Sequence, residues 1–266
     1  MRFFLITFFC IFLSYYGHAD PNYFQFGVIG DTSIGQNEKV FVHFVAHLRK
    51  MGIKTFFHTG DVIHKPGSEA QWDRFLEIVG EEMEFHISLG NHDVNSAKSL
   101  MVYRNRIKKP PYYSFESGDA IFLILCTELP KEEAKIAGTQ KSWLVEKLKK
   151  NYNYKFVFLH RPLFPTIFGK SFCLDRFPEE RDSLHKLFSE NGITCVFSGH
   201  EHIYNRTKRD GVTYLTTGGG GSRLLVPVEE YGGFHHYLLA KRSKDGYIFS
   251  VFDLKGRIRD EFMIKK

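Results

Sequence analysis

Five short blocks rich in Asp, Asn and His recur along this chain in a constant relation to apolar segments. Each block directly follows a short run of apolar, β-branched or aromatic residues, so each lies where a predicted strand ends. In an open α/β sheet the carboxyl ends of the strands face the binding crevice. The five blocks therefore bring enough Asp, Asn and His side chains to one crevice for two metal ions. They are Gly30-Asp31, residues 60–64, residues 90–93, residues 159–162 and residues 199–202.

The segments between the blocks alternate between strand and helix patterns. Residues 37–51 carry apolar side chains at helical spacing, and Ser68 to Gln71 predicts a capping box before a second helix. Residues 112–115 and 120–126 flank a predicted hairpin turn, and the chain after residue 212 is mostly strand. This order predicts the α/β class, with two stacked mixed β-sheets flanked by helices. Strands are also predicted at 24–29, 55–58, 85–89, 156–159 and 193–198, and helices at 139–150 and 178–190.

Length and composition favour a single large domain. Of the 266 residues, 43% are hydrophobic and 16% aromatic, which is enough for a substantial core. No Pro/Ser-rich linker divides the sequence, and it contains no internal repeat. We therefore predict one domain over residues 20–266.

Residues 1–19 have the pattern of a signal peptide. Arg2 precedes an apolar run at residues 3–13, and Gly17 and Ala19 are small residues suited to a cleavage site before Asp20. The apolar run is too short to cross a bilayer comfortably. We expect a secreted or periplasmic protein with no stable membrane insertion after leader cleavage. A retained N-terminal membrane anchor remains the alternative.

The net charge indicates which substrates and partners the protein favours, and the cysteines indicate whether disulfides stabilise it. The formal net charge is +6, from 36 Lys and Arg against 30 Asp and Glu, which favours anionic substrates. The basic residues are dispersed, so a solvated basic surface explains them and no specific nucleic acid is expected.

The three cysteines after the leader, Cys126, Cys173 and Cys195, are irregularly spaced and form no disulfide framework, although one bridge remains possible.

The order and residue types of the five blocks resemble the calcineurin-like metallophosphoesterase superfamily, and within it the purple acid phosphatase branch. Residues 214–217, followed by the glycine run 218–221, are similar to that family's late strand and glycine turn. The resemblance covers essentially all of the chain after the leader and implies a four-layer αββα sandwich. It implies a first metal site of Asp31, Asp61, His64 and His202, and a second of Asp61, Asn91, His160 and His200.

The implied ligands fit dinuclear chemistry. One bridging carboxylate, here Asp61, can hold two cations about 3.5–4 Å apart, close enough for both to polarise one phosphoryl group. Mixed oxygen and nitrogen donors suit two divalent or trivalent transition-metal ions, Fe, Mn or Zn. The resemblance thus implies a phosphoesterase that hydrolyses phosphate esters through a hydroxide bridging the two metals. A small phosphorylated substrate, and a monoester in particular, is favoured.

Two positions depart from the family pattern. Most of the superfamily has Asp-x-His in the first block, but Ser33 stands where that His is expected. The purple acid phosphatases have a Tyr three residues after the bridging Asp, and this chain has His64 there. His64 would keep a donor at the first metal without the phenolate that colours those enzymes. A solvated loop histidine is the alternative for His64.

The resemblance also implies roles next to the metals. Asn91 and His92 would contact the phosphoryl oxygens, and His92 could protonate the leaving group. Asp93 could orient the imidazole of His92 and raise its pKa, although a loop carboxylate that caps backbone amides is an equal alternative. Arg161 could bind the substrate phosphate bidentately, with an outward-facing surface Arg as the alternative.

Three functions are compatible with these residues. A phosphomonoesterase is favoured, and a phosphodiesterase or nuclease would share the same site. A non-catalytic metal-binding scaffold would be favoured by lost ligands, but all the implied ligand positions carry donors. Specificity in such sites comes from loops above the metals, and residues 162–177, rich in aromatic residues and Pro, are the best candidate for one wall, with a plain structural loop as an equal alternative.

Overall fold

The computed structural model of the chain describes residues 24–167 and 172–265. The predicted signal peptide at 1–19 lies outside these residues and stays a prediction. The strands are β1 Gln25–Ile29, β2 Thr55–His58, β3 Glu84–Ile87, β4 Tyr113–Ser117, β5 Ala120–Ile124, β6 Tyr154–Phe158, β7 Cys195–Ser198, β8 Tyr204–Arg209, β9 Val212–Thr217, β10 His236–Ser243, β11 Gly246–Asp253 and β12 Ile258–Lys265. The helices are α1 Lys39–Met51, α2 Glu69–Val79, α3 Ala97–Ile107, α4 Gly138–Leu148 and α5 Pro178–Glu190.

The strands form two mixed sheets, as predicted, and each sheet has six strands. The first has the order β12-β11-β10-β1-β2-β3, and the second has the order β4-β5-β6-β7-β9-β8. Within the first sheet β1, β2 and β3 are parallel, and within the second β5, β6, β7 and β9 are parallel. Five of these seven parallel strands, namely β1, β2, β3, β6 and β7, precede the five blocks. Each sheet therefore presents its blocks at one edge.

Three apolar clusters hold the layers together. One packs α1, α2 and α3 on the outer face of the first sheet, and another packs α4 and α5 on the outer face of the second. The third, between the sheets, is strongly aromatic: the ring of Phe57 lies 4.4 Å from Phe158 and 4.7 Å from Phe122, centre to centre. Burial of each such ring is worth about 1.5–3 kcal/mol. The result is the predicted arrangement of two sheets flanked by helices.

The start of α2 differs in one detail from the prediction. Ser68 caps the helix by accepting the backbone N–H of Gln71, as expected. The side chain of Gln71 does not return to Ser68. Its oxygen instead accepts the backbone N–H groups of His64 and Lys65, which fixes the loop after Asp61. The second half of the predicted capping box is therefore replaced by a contact that shapes the site.

Two elements have no counterpart among the predicted ones. Helix α3 carries only four buried residues and is capped by Ser96 together with Ser99, where the usual capping box has Glu or Gln. Strand β8 is an edge strand with four exposed residues out of six, paired only with β9. Both sequences are too polar to show the apolar periodicity that identified the other elements.

Two further properties concern the state of the cysteines and the length and apolar character of the helices. Cys126, Cys173 and Cys195 are all free and buried, so no disulfide joins them. Within the part of the chain that the structure describes, no helix combines the length and apolar character needed to cross a membrane.

Candidate metal centre

The backbone at the strand ends adopts a conformation that non-glycine residues rarely occupy. Asp31, Asp61 and His200 have positive φ angles of 58°, 54° and 67°. Left-handed backbone at a non-glycine residue costs free energy and persists where the surrounding structure enforces it, often at functional sites. Each of these residues follows a glycine and a buried strand. The strained turns place the three side chains at one junction of the two sheets.

The glycines in the blocks are needed for close approach. A Cβ on Gly90 would lie 2.2 Å from Oδ1 of Asp61, and one on Gly199 would lie 2.3 Å from Oδ2 of Asp31. Both distances are far below van der Waals contact. The Gly-Asn-His-Asp and Gly-His-Glu-His blocks therefore begin with glycine because a carboxylate from the other chain segment occupies the space of a side chain.

One group of donor atoms combines both sheets. Ligand atoms of Asp61, His160 and His200 lie within 4.8 Å of one another, and the three residues are buried or nearly so. Nε2 of His160 lies 3.5 Å from Oδ1 of Asp61, 3.1 Å from Nδ1 of His200 and 3.2 Å from Oδ1 of Asn91. Nδ1 of His160 faces the carbonyl of Thr59 at 2.9 Å, so a proton on Nδ1 leaves Nε2 available as a ligand. The residues implied for the second metal thus meet at one point.

A second group shares Asp61 with the first. Ligand atoms of Asp31, Asp61 and His202 also lie within 4.8 Å of one another. Nε2 of His202 is 3.4 Å from Oδ1 of Asp31, while its Nδ1 faces the carbonyl of Arg223 at 2.7 Å. Asp61 is therefore the only carboxylate common to the two groups found among the described residues.

The electrostatics of these groups suit cations. Burial raises the pKa of Asp31, and burial together with the neighbouring Asp31 raises that of Asp61 well above its ordinary value. Burial lowers the pKa of His160 and brings that of His200 to about 3, so both imidazoles are neutral and able to coordinate. Buried carboxylates held this close gain most from a cation that neutralises them. Their chemistry and burial fit the metal ions that the sequence implied.

Two histidines border these groups without belonging to them. His64 is in neither set of clustered donor atoms. Its ring stacks on that of His92 with centres 5.5 Å apart, and its backbone carbonyl accepts a hydrogen bond from Nδ1 of His92 at 2.7 Å. The backbone N–H of His92 is bound to Oδ1 of Asp61 at 2.8 Å. His92 is therefore fixed beside the shared carboxylate.

Asp93 fits the second reading of its role, a loop carboxylate that caps backbone amides. Its carboxylate accepts the backbone N–H groups of Gly90 and Ile63, at 2.9 Å and 3.1 Å, and is fully buried. Burial raises its pKa to about 7. No hydrogen bond joins Asp93 to the imidazole of His92, whose Nδ1 is taken by His64. Asp93 therefore holds together the loops that carry Asp61 and Asn91.

The side chain of Arg161 is largely buried and does not face outward. Its Nε and Nη2 donate to the two carboxylate oxygens of Glu128 at 2.6 Å and 3.0 Å, and Nη1 donates to the carbonyl of Phe172. The side chains of Arg161 and Glu128 are 15% and 2% exposed. Burial raises the pKa of Glu128, and the guanidinium partly offsets this. The bidentate partner present in the structure is thus a carboxylate.

Sequence reasoning missed three polar residues around the centre. Glu128 follows the strand predicted at residues 120–126, just as the five blocks follow theirs, so the same signal could have identified it. His58, fully buried with a pKa lowered to about 3 by burial, hydrogen-bonds Thr32 and the N–H of Gly60 and so braces the turn at Asp61. Glu201, also fully buried, accepts the N–H groups of Thr166 and Ile167. Its sequence position between two ligands gave no sign of that contact.

The two sheets with strand-end carboxylates and imidazoles at their junction define an α/β phosphoesterase fold with a candidate metal centre. The family model of calcineurin-like phosphoesterases matches residues 24–204, which is more than half of the chain. The chain belongs to the calcineurin-like phosphoesterase family.

Its relatives include phosphatases. Serine/threonine-protein phosphatase CPPED1 of Homo sapiens is 28% identical over 280 residues, covering 89% of this chain and 87% of the relative. Purple acid phosphatase 21 of Arabidopsis thaliana is 27% identical over 248 residues, covering 78% of this chain and 54% of the relative. The structure of purple acid phosphatase PPD1 from yellow lupin seeds superposes with a TM-score of 0.75 at 17% identity, over 91% of this chain and 54% of that one. The chain thus spans about half the length of these two purple acid phosphatases.

Proposed function

We propose that this protein is a metal-dependent phosphoesterase that hydrolyses small phosphate monoesters and uses two transition-metal ions, Fe, Mn or Zn. The observation that carries the proposal is that Asp61 belongs to both groups of clustered donor atoms. The printed names of its relatives, which are phosphatases, support the same reaction class. Retention of buried donors at both groups disfavours a non-catalytic scaffold.

Each proposed ion would take ligands from both sheets. Asp31, Asp61 and His202 would hold one ion, with His64 as its fourth ligand by resemblance to the family, and Asp61, Asn91, His160 and His200 would hold the other. Two bound cations would supply polarisation of the phosphoryl oxygens and an activated water nucleophile. Thr59 and Arg223 orient His160 and His202 through their carbonyls, so that Nε2 of each imidazole faces the carboxylates.

Of the remaining side chains, some would contact the substrate and one positions the loops around it. Nδ1 of His92 is held by the carbonyl of His64, which leaves Nε2 to deliver a proton to the leaving-group oxygen. Asn91 and His92 would contact the phosphoryl oxygens. Asp93 is a positioning residue in this scheme, because it binds backbone amides and not the imidazole. Arg161 keeps its place as a proposed substrate contact only through the donors not directed at Glu128 and Phe172.

The test is reconstitution followed by assay of two chromogenic esters. The purified protein is loaded with Fe, Mn or Zn, its metal content is measured, and turnover of p-nitrophenyl phosphate is compared with that of the bis ester. We expect two ions per chain, faster monoester hydrolysis, and loss of activity with a chelator. Faster turnover of the diester would assign the phosphodiesterase alternative.

The matched variants are Asp61→Ala and Asp182→Ala. Asp61→Ala should remove both ions together because one carboxylate belongs to both donor groups. Asp182 lies on α5 with a side chain 60% exposed, so Asp182→Ala should keep both ions. Negligible metal uptake by the parent protein with all three metals would refute the proposal.

A further inference from the structure

A cavity of about 370 Å³ lies on the outer side of the first sheet, between α1 and the turn that joins β11 to β12. Its volume is within the roughly 300–1,000 Å³ typical of sites for small molecules. No residue of the two groups of clustered donor atoms lines it, so it is separate from the candidate metal centre. Among the described residues that line it none is acidic, and they include His43, Ala46, His47, Lys50, Leu254 and Lys255.

Helix α1 brings three basic side chains to the cavity. His43, His47 and Lys50 follow one another at helical spacing, which places them on one face of the helix. Lys255 comes from the turn on the other side. Burial, followed by repulsion from the nearby His43 and Lys50, lowers the pKa of His47. The basic groups therefore lie close enough to one another to repel.

Tyr237 holds the imidazole of His47 in place. Tyr237 on β10 is fully buried, and its hydroxyl lies 2.7 Å from Nδ1 of His47. The ring of Phe252 packs edge-on against the same imidazole, with centres 5.2 Å apart. The ring of His43 also lies against Tyr237, with centres 5.9 Å apart. When the hydroxyl of Tyr237 donates to Nδ1, neutral His47 carries its proton on Nε2, which can donate to an anion.

The two lysines of the cavity have no counter-charge of their own. Within the part of the chain that the structure describes, no carboxylate oxygen lies within 4.0 Å of the ammonium group of Lys50 or Lys255. Arg49, directly before Lys50, is by contrast paired with Glu82 at 2.7 Å. An anion that enters the cavity would therefore meet two lysines whose charges are not engaged in ion pairs.

A cation is the alternative occupant, because two histidines four residues apart on a helix can hold a transition-metal ion. The cavity adds no carboxylate or thiol to this pair, and Lys50 and Lys255 would repel a cation. Leu254, which is 38% exposed, and Ala46 add apolar surface. The chemistry of the cavity therefore favours an anion that has an apolar part.

We propose that this cavity binds a small organic anion, whose acid group is held by Lys50, Lys255 and His47 and whose apolar part packs against Leu254. This anion would be a second ligand of the protein, in addition to the substrate proposed for the metal centre. Its binding is independent of the proposed phosphoesterase function, because no proposed metal ligand lines the cavity, and it can be measured without turnover.

The experiment titrates the Zn²⁺-loaded protein with benzenesulfonate and observes the histidine ring signals by NMR. Methyl phenyl sulfone, which has the same ring and sulfonyl group but no charge, is the matched ligand control. The signals of His43 and His47, assigned with His43→Gln and His47→Gln, should shift saturably with benzenesulfonate and not with the sulfone. The same shifts are expected in the protein without metal.

Substitution of the lysines tests the charges. Lys50→Gln and Lys255→Gln should each raise the Kd of benzenesulfonate about two- to fivefold, the scale of one exposed charge interaction. Lys208 is exposed on β8, in the other sheet. Lys208→Gln removes the same charge away from the cavity, so it should change the Kd less than about 1.5-fold at physiological salt.

Several results would overturn the inference. They are the absence of saturable shifts at His43 and His47, equal shifts with the neutral sulfone, and a Kd that Lys208→Gln raises as much as Lys50→Gln does. Shifts confined to the histidines of the metal centre would place the anion there instead. Zn²⁺ in excess that shifts the His43 and His47 signals, with benzenesulfonate having no effect on them, would assign the cavity to a cation.

Discussion

At the scale of single residues, His92 is the side chain whose surroundings most directly match a proton donor. Its backbone N–H is tied to Asp61 and its Nδ1 to the carbonyl of His64, so the ring has one free nitrogen and a fixed orientation. We expect His92→Ala to keep near-normal metal content and to lower turnover by about 10²–10⁴, the usual contribution of a positioned acid. Metal analysis alongside steady-state kinetics measures both quantities. Loss of metal would make His92 a ligand, and unchanged turnover would remove it from the mechanism.

The role of His64 differs between the family resemblance and the structure. The resemblance implies a ligand of the first metal, whereas the ring stacks on His92 in the structure. Its backbone N–H donates to the carbonyl of Ile34 and to the side-chain oxygen of Gln71, so the side chain would have to rotate to coordinate the metal.

We expect His64→Ala to lower occupancy of the first metal site selectively, since the second has Asn91, His160 and His200. His64→Tyr loaded with ferric iron should gain a visible phenolate charge-transfer band that the parent lacks, because imidazole has no corresponding donor orbital. Metal analysis and absorption spectra measure these effects. A coloured parent, or full occupancy of both sites in His64→Ala, would show that His64 is not a ligand.

At the scale of elements, the strand-end turns determine how the ligands are presented. Gly90→Ala would place a methyl group 2.2 Å from Oδ1 of Asp61, so we expect it to abolish binding of both ions. Gly52, after α1, has a positive φ of 69° and open space around its Cβ position. Gly52→Ala should cost about 1 kcal/mol of folding free energy and leave metal content unchanged. Urea unfolding and metal analysis of the two variants distinguish local strain from loss of the site; full metal content in Gly90→Ala would contradict this account.

The elements also show what the sequence could and could not predict. Strands that are buried on both faces carry continuous apolar runs, which is why β2 was predicted with the bounds the structure has. Polar elements such as α3 and β8 gave no periodic signal. The blocks at the strand ends were visible because ligand types cluster there. The partners of Arg161 and Glu201 were not, because those contacts join segments more than 30 residues apart.

At the scale of the whole molecule, the candidate metal centre connects the two sheets. Asp31, Asp61 and Asn91 follow strands of the first sheet, whereas His160, His200 and His202 follow strands of the second. The interface between the sheets is otherwise held by aromatic packing, with Phe57 of the first sheet against Phe122 and Phe158 of the second. Metal ions bound by both sets of ligands would cross-link the sheets at the edge where the buried carboxylates repel each other.

Metal binding should therefore stabilise the entire fold. A ligand that binds only the folded state at about a hundred times its Kd adds roughly 2.7 kcal/mol, which for a chain of this size corresponds to a rise in Tm of about 5–10 °C. We expect a chelator to lower the Tm of the loaded protein by at least this amount and added metal to restore it, as measured by calorimetry. Asp61→Ala, which lacks the shared carboxylate, should show no metal-dependent change, whereas Asp182→Ala should respond as the parent does. A parent protein whose Tm is the same with chelator and with excess metal would show that the ions do not join the two sheets.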